Sequence, residues 1–323
     1  MKIRFWGTRG SIPVALTAEQ LRAKLFAALQ GASGHTLDSP TAINAYIDSL
    51  DFDIAGTFGG HSSCVQIDCG GDEHVILDMG SGARPLGQAM LERFGPGKPQ
   101  TYHVFMSHLH WDHLMGFPFF TPIYLPGNRI IIHSCHENVE NAFRRQQREP
   151  SFPVDFSQLA ADIRFDVMSP DSTQEIAGLR VCAKKQRHAG DSYGWRFEQG
   201  GKSVVYSTDS EHRLEDTEER EGFVRFFADA DAVIFDAMYS LTEAITVKAD
   251  WGHSSNIIGV ELCQAARAKR LILFHHEPSY NDRYIAQTLE DTRRFEEASI
   301  APGSVTVYAS LRRYGTCVLP PTC

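Results

Sequence analysis

A six-residue segment, HLHWDH at residues 108–113, constrains the fold of this chain more than any other feature. Four of its side chains, His108, His110, Asp112 and His113, are of metal-ligand type, and the apolar run YHVFM lies just before them. Imidazole and carboxylate groups suit zinc, iron or manganese. Because an apolar core accepts unpaired polar groups only at high cost, the segment predicts a metal site at the end of a strand. A polar loop with coincidental histidines is the weaker alternative.

Further side chains of the same type follow apolar runs later in the chain. These are His188 after VCAKKQR, Asp209 after SVVYST, Asp236 at the end of AVIFD, and His275 with His276 after RLILF. Taken singly, a strand-end aspartate is usually a turn former and a lone histidine is usually a satisfied polar residue. Ligands of open α/β proteins, however, gather at the carboxyl ends of strands. Together with the first segment, these residues therefore predict one site built from several strand ends.

Short apolar runs rich in β-branched and aromatic residues alternate with helical patterns along the chain, which predicts an α/β fold. One expected helix begins after Thr17 and ends near Gly31, and another is led by Ser81 and ends at Gly95. We expect a single domain over residues 1–323, with a helical insertion at about 14–58. A packing or dimer element is the favoured role of that insertion.

Composition narrows the class of protein. The formal net charge of −9 gives no electrostatic footprint for a nucleic-acid backbone, although a local basic patch is compatible with it. The N-terminal segment lacks the apolar stretch of a signal peptide, and no run of residues is apolar enough for a membrane span. The seven cysteines form no C-x-x-C pair, and this predicts reduced thiols in a cytoplasmic protein.

The motifs together resemble the metallo-β-lactamase-fold hydrolases. Besides HLHWDH, the segments FWGTRGSIP and ILDMGSGARPLG are similar to the opening strand and the D-x-G-x-G turn of that family. The later segments FDA, WGHSS and LILFHHEP are most similar to the ribonuclease Z and cyclic phosphodiesterase branch. The resemblance runs over nearly the whole chain apart from residues 14–58. It implies a four-layer αβ/βα sandwich and a metal-dependent hydrolase.

The resemblance also implies a set of ligands for two divalent metal ions. His108, His110 and His188 would bind one ion, Asp112, His113 and His275 would bind the other, and Asp209 would bridge them. The family pattern favours the first histidine after the strand, hence His275 rather than His276. Asp78 either orients a ligand histidine or forms a turn. Zinc is the expected metal, with manganese or iron as alternatives.

The implied chemistry is hydrolysis of a phosphodiester. Two cations would lower the pKa of a bridging water, and the resulting hydroxide would attack phosphorus. Asp112, Asp236 and His253 are the expected catalytic residues. Asp236 would hold His253 in a protonated form that serves the leaving oxygen. The alternative for His253 is a cap on the helix that begins near Ser254 or Ser255.

The substrate is open at this point. Members that process tRNA carry a long Gly/Pro-rich arm, and this chain has no such segment. With the negative net charge, this favours a small or cyclic phosphodiester over tRNA. The alternatives are a thioester, lactone or β-lactam as substrate, or a non-catalytic metal-binding sensor. We also expect a homodimer, and we expect Trp111, Phe117 and Phe119 either to wall the pocket or to pack beneath the metal loop.

Overall fold

The structure is a computed structural model, which describes residues 1–212, 216–239, 252–299 and 301–310 and the backbone of residues 317–318. The cysteines at positions 64, 69, 135, 182 and 263 are free thiols, as expected for a reduced protein. The thiols of Cys317 and Cys323 lie outside the described part. None of the described helices has the length and apolar composition that crossing a membrane requires.

The described strands form two sheets of seven strands each. In chain order the strands are β1 (Lys2–Gly7), β2 (Cys64–Asp68), β3 (Glu73–Leu77), β4 (Thr101–Phe105), β5 (Arg129–Ser134), β6 (Asp162–Val167), β7 (Thr173–Ile176), β8 (Leu179–Gln186), β9 (Ser192–Gln199), β10 (Lys202–Ser207), β11 (Ala232–Asp236), β12 (Arg270–Phe274), β13 (Thr306–Ala309) and β14 (Cys317–Val318). The first sheet has the order β14-β1-β2-β3-β4-β5-β6 and the second has the order β13-β12-β11-β10-β9-β8-β7.

Both sheets change from antiparallel to parallel pairing part-way across. In the first, β14, β1, β2 and β3 pair antiparallel, whereas β3, β4, β5 and β6 pair parallel. In the second, β7 to β10 pair antiparallel and β10 to β13 pair parallel. Parallel neighbours end at the same edge of a sheet, so each sheet presents several carboxyl ends side by side.

The inner faces of the two sheets bury one apolar core between them. Phe105 of β4 contacts Trp195 and Phe197 of β9 edge-on, with ring centroids 5.2 and 5.0 Å apart. Phe5 of β1 reaches Phe274 of β12 at 6.1 Å. Alternate residues of each strand face this core because side chains in a strand point to opposite faces in turn.

Helices cover the outer faces. The described α-helices are α1 (Ala18–Gly31), α2 (Pro40–Ser49), α3 (Phe52–Ala55), α4 (Ala83–Phe94), α5 (Trp111–Leu114), α6 (Val139–Gln146), α7 (Thr217–Phe227), α8 (Asn256–Ala265) and α9 (Asp282–Glu297). Short 3₁₀ helices occupy Phe117–Phe119, Thr121–Tyr124 and Phe156–Gln158. Buried residues of α4 and α6 join the outer core of the first sheet, and those of α7 and α8 join that of the second. The four-layer αβ/βα prediction is confirmed.

The segment between β1 and β2 contains α1, α2 and α3. Thr17 caps α1 in a capping box, as the sequence predicted, and Ser39 caps α2. Lys24 of α1 lies 2.8 Å from a carboxylate oxygen of Asp282 at the start of α9, and this ion pair ties the segment to the second sheet's side. Whether residues 14–58 are an insertion in a single domain stays a prediction.

Three local expectations differ from the structure. Ser81 does not begin α4, because its hydroxyl accepts a hydrogen bond from the Ser62 backbone N–H (2.9 Å) and the helix begins at Ala83. Helix α6 was not anticipated, since only Val139 and Phe143 mark its buried face. Strand β7 was missed for a similar reason: its sequence TQEI is mostly exposed, and only pairing with β8 makes it a strand.

Candidate metal centre

The predicted ligand residues lie where strands of both sheets end. Asp78 follows β3, the HLHWDH segment follows β4, Asp209 follows β10 and His275 follows β12. His188 follows β8, which runs in the same direction as β10 because two antiparallel pairings separate them. The carboxyl ends of the two sheets therefore meet along one edge of the sandwich.

Three of these residues have an unusual backbone conformation. Asp78, Asp209 and His275 have φ angles of 56, 48 and 60°, in the left-handed region that residues with a Cβ rarely adopt. Each is one or two residues past the end of its strand. Local strain of this kind is concentrated at functional sites, and all three side chains contact the cluster: Asp78 through His113, and Asp209 and His275 directly.

One group of ligand-type atoms consists of three histidines. Donor atoms of His108, His110 and His188 lie within 4.8 Å of one another, and His188 Nε2 is 3.1 Å from His110 Nδ1. His110 thus presents Nδ1 to the group. His188 presents Nε2, because its Nδ1 lies 2.8 Å from the carbonyl oxygen of Gly252. The carbonyl accepts from Nδ1–H and so fixes the tautomer of the ring, as acceptor groups next to a ligand histidine commonly do.

A second group consists of Asp112, His113 and His275, all buried. His113 Nε2 lies 3.2 Å from Asp112 Oδ2 and 3.2 Å from His275 Nε2. His275 Nε2 lies 3.3 Å from Asp112 Oδ2. Three ligand-type atoms on three different side chains therefore converge on one point.

Asp209 stands between the two groups. Its Oδ1 lies 3.2 Å from His113 Nε2 and 3.3 Å from His275 Nε2. Its Oδ2 lies 3.6 Å from His108 Nε2 and 3.8 Å from His188 Nε2. One carboxylate oxygen thus faces each group, which is the arrangement that a carboxylate bridging two cations requires.

The buried carboxylate of Asp78 contacts His113 of the second group on the side away from the cluster. His113 Nδ1 lies 2.8 Å from its Oδ2, and this leaves His113 Nε2 for the cluster. The hydroxyls of Ser107 and Tyr206 donate to the same oxygen at 2.7 and 2.8 Å, and the Ser107 backbone N–H donates to Oδ1 at 2.8 Å. Of the two readings of Asp78, the geometry matches orientation of a ligand histidine.

His253 and Asp236 form a pair beside the cluster. His253 Nδ1 lies 2.8 Å from Asp236 Oδ2, and the Asp236 side chain is fully buried at the end of β11. The ring of His253 is 5.1 Å from those of His188 and His275. Burial lowers the pKa of His253, but the charge and hydrogen bond of Asp236 outweigh it and raise the pKa from 6.5 to about 9. The helix cap is Ser255, whose hydroxyl accepts from the Ile258 N–H, so capping does not require His253.

The charges of the cluster fit cations. Burial disfavours a charged imidazole, yet the surrounding Asp209, Asp112 and Asp78 carboxylates raise the pKa of His113 well above its ordinary value. Three carboxylates thus lie close to one imidazole, and a bound cation would offset their negative charge. His108 Nε2 is buried, faces the cluster and has no hydrogen-bond partner in the described part of the chain. Imidazole and carboxylate donors of this kind suit zinc, manganese or iron.

Sequence reasoning missed several supporting residues. A Cβ on Gly10 would lie 2.6 Å from the His275 ring, and one on Gly252 would lie 2.4 Å from His188 Nδ1. Only glycine therefore lets the backbone approach these rings. Ser107, directly before the motif, and Tyr206 were also missed. Gly252 beside His253 in WGH was the one local signal.

Other residues singled out in the sequence lie apart from the cluster. His276 is buried and its Nε2 is 3.3 Å from the Ser310 hydroxyl, away from the groups that His275 joins. Phe117 is fully buried in the outer core of the first sheet, so it packs beneath the loop. Trp111 and Phe119, by contrast, are 72% and 54% exposed, and both line a cavity next to the motif.

Comparison with known proteins places the chain in a family. The family model described as "Beta-lactamase superfamily domain" matches residues 65–276. Ribonuclease BN of Escherichia coli O1:K1 / APEC is 30% identical over 138 residues, which cover 39% of this chain and 39% of that protein. The chain thus matches about two fifths of the length of that relative. Ribonuclease Z of Streptococcus sanguinis strain SK36 is 25% identical over 277 residues, with 71% of this chain and 82% of that protein covered.

The fold also has solved counterparts. The metallo-beta-lactamase fold protein YhfI of Bacillus subtilis matches with a TM-score of 0.59 and 16% identity, over 95% of each chain. Identity at this level carries the fold alone. With the family match, it confirms the predicted metallo-β-lactamase fold.

Proposed function

Because the chain belongs to the beta-lactamase superfamily, we propose that it is a dinuclear metal-dependent hydrolase that cleaves a small phosphodiester. The observation that carries the proposal is the position of Asp209, with one oxygen toward each of two ligand groups. The pair of Asp236 and His253 beside the cluster supports a phosphodiester as the substrate. The ribonuclease names of the relatives support phosphodiester chemistry in general.

Each of the two ligand groups would bind one cation. His108, His110 and His188 would hold one ion, Asp112, His113 and His275 the other, and Asp209 both. We propose zinc as the metal, with manganese or iron as alternatives. When bound, two such ions would lower the pKa of a coordinated water and offset the negative charge that develops at phosphorus.

We assign protonation of the leaving group to His253 and Asp236. Hydrolysis forms one P–O bond from water and breaks the P–O bond to the leaving alcohol, whose oxygen must gain a proton. Asp236 holds Nδ1 of His253, so Nε2 is the nitrogen that donates this proton. Its raised pKa keeps the imidazole charged at neutral pH. A thiolate leaves without a proton, so a thioester gives this pair no comparable task. Over a lactone or β-lactam, we favour the phosphodiester because the relatives are ribonucleases.

The size of the substrate follows from charge. A net charge of −9 opposes a long polyanion, so we propose a small or cyclic phosphodiester rather than tRNA. A homodimer is also part of the proposal, and α1 offers the surface to test because none of its residues is buried in the protomer.

The general-acid assignment is tested with two leaving groups. p-Nitrophenolate leaves without a proton, whereas an alkoxide needs one. We expect His253→Gln to lower kcat on a methyl phosphodiester by ~100-fold or more and to affect bis(p-nitrophenyl) phosphate much less. Asp236→Asn should follow the same pattern, and His35→Gln, at an exposed histidine outside the site, is the matched control.

Metal analysis of the same variants separates two roles. Donor atoms of His253 also lie within 4.8 Å of those of His188 and Asp209, so a ligand role is the competing hypothesis. Two metal ions per chain in both the wild type and His253→Gln support the general acid. Loss of one ion, or equal loss of kcat on both substrates, contradicts it. Turnover of a lactam or thioester without phosphodiester turnover would refute the proposed function.

A further inference from the structure

A cavity of about 1060 Å³ adjoins the metal-ligand loop. Leu109 and Trp111, which alternate with the ligand-type residues of the loop, belong to its wall. His61 also lines the cavity. The next residue, Ser62, is bound to the loop, because its hydroxyl donates to the Asp112 carbonyl at 2.8 Å. The volume is at the upper end of the range for small-molecule sites.

Two large aromatic side chains are exposed at this cavity. Trp111 is 72% exposed and Phe119 is 54% exposed. Phe119 is held edge-on against Phe152, with ring centroids 5.6 Å apart. Exposed aromatic rings on a fixed frame are surfaces on which a flat aromatic group stacks.

Positive charge and an unused donor line the same cavity. Arg84 on α4 and Arg145 on α6 both line it, and both side chains are exposed. The amide nitrogen Nε2 of Gln146, another lining residue, is buried and makes no hydrogen bond within the described chain. Arginine is suited to phosphate because its planar fork donates two parallel hydrogen bonds.

We propose that this aromatic cavity binds one nucleotide of a dinucleotide substrate, with its base on Trp111 and Phe119 and a terminal phosphate on Arg84 and Arg145. The proposal deepens the proposed function and rests on it, because the bond that is cleaved is the phosphodiester presented to the metal ligands. Water adds to that phosphorus and the P–O bond to the second nucleoside breaks. The products are the first nucleotide, which keeps the cleaved phosphate and occupies the cavity, and the second nucleoside, whose freed oxygen takes the proton.

Binding is tested first, on the metal-loaded protein and with probes that contain no phosphodiester, so that catalysis plays no part. The probes are AMP, adenosine and ribose 5-phosphate, measured by titration calorimetry. We expect AMP to bind more tightly than either fragment. Phe119→Ala, which removes a stacking surface, and Arg145→Gln, which removes a phosphate partner, should each weaken AMP binding by roughly tenfold. Arg148→Gln, at an exposed arginine outside the cavity, is the matched control and should bind AMP as the wild type does.

Kinetics of the metal-loaded enzyme then assign the terminal phosphate. We expect Arg145→Gln to lower kcat/KM for 5′-phosphorylated diadenosine monophosphate about ten times more than for the same dinucleotide without that phosphate. Trp111→Phe should retain most of the activity that Trp111→Ala loses on both dinucleotides. A KM effect larger than the kcat effect is expected, since these residues bind the part of the substrate that does not react.

The outcomes separate this inference from the proposed function. Failure to hydrolyse bis(p-nitrophenyl) phosphate would refute the phosphodiesterase itself. If that compound is hydrolysed, two results would overturn the cavity proposal alone. One is that ribose 5-phosphate binds as tightly as AMP, and the other is that Phe119→Ala and Arg145→Gln both bind AMP normally. A long RNA oligonucleotide cleaved much faster than the dinucleotide would overturn it as well.

Discussion

At the residue scale, the buried carboxylate of Asp78 is the group that orients His113 in the proposed metal centre. It accepts hydrogen bonds from Ser107 and Tyr206 and holds Nδ1 of His113, all at 2.7–2.8 Å. Removing its charge leaves these donors in place but weakens the group that orients the ring. Such supporting contacts commonly tune metal affinity by about 10–100-fold.

We therefore expect Asp78→Asn to lower affinity for one metal ion by ~10-fold or more while the other ion binds normally. Competition titrations with a zinc chelator measure the two affinities. Tyr206→Phe, which removes one hydrogen bond and keeps the carboxylate, is the control and should have the smaller effect. Equal affinities in Asp78→Asn and the wild type would show that Asp78 serves only as a turn residue.

The residue scale is also where sequence reasoning was strongest and where it failed most clearly. The ligand-type side chains were named from their types and from the apolar runs before them, because metals demand particular donor atoms. The choice between His275 and His276 needed the family resemblance, and the structure gives its reason: a left-handed φ of 60° turns His275 toward the cluster. Gly10, Gly252 and Tyr206 were missed, since close approach to a distant ring leaves no local pattern.

At the element scale, α1 presents an apolar face that the protomer leaves uncovered. Leu21, Leu25, Phe26 and Leu29 are all at least half exposed, up to 74% for Leu29. A contiguous exposed apolar face of this kind marks an interaction site more often than a monomer surface. The sequence offered packing or dimerisation for this segment, and the exposure favours the second.

We expect the double substitution Leu25→Glu with Leu29→Glu to convert a dimer into a monomer in sedimentation experiments. The unfolding free energy of the protomer should change little, because these side chains are exposed in it. Gln30→Glu, at a neighbouring exposed position, adds charge without removing apolar surface and should leave the dimer intact. A wild-type chain that sediments as a monomer at high concentration would refute the homodimer.

At the scale of the whole molecule, buried histidines couple stability to pH. His212 is enclosed by Phe223 and Phe235, with ring centroids at 4.3 and 5.2 Å, and neither ring nitrogen has a partner in the described structure. Burial lowers the pKa of His212 from 6.5 to about 3, against the opposing charge of Asp236. Burial likewise lowers the pKa of His133 to about 4, although Asp166 opposes it.

Because both folded-state pKa values lie below the unfolded value of 6.5, the unfolded chain binds more protons, and stability decreases as the pH is lowered. The unfolding free energy begins to decrease near pH 6.5, with a slope of up to about 1.4 kcal/mol per pH unit for each histidine. The decrease ends near pH 4 for His133 and near pH 3 for His212. Urea titrations between pH 7 and 4.5 measure this slope. His212→Phe, which keeps the aromatic contacts, should remove its own share of the slope, and an unchanged slope would contradict the assignment.

The same urea curves address the predicted single domain. If residues 1–323 form one cooperative unit, fluorescence and circular dichroism should give coincident transitions. An earlier transition confined to part of the chain would indicate that residues 14–58 unfold on their own.

The sequence by itself determined the class of fold and the kind of chemistry. Alternating strands and helices require layers, and a segment such as HLHWDH has few physical uses other than holding a cation. Both depend on residue type and on spacing along the chain, which are properties of sequence. The tertiary structure decided which residues meet: two sheets had to face each other before Asp209 could stand between two ligand groups and Trp111 could stand exposed beside them. Contacts between residues a hundred positions apart depend on that packing, and no local pattern records them.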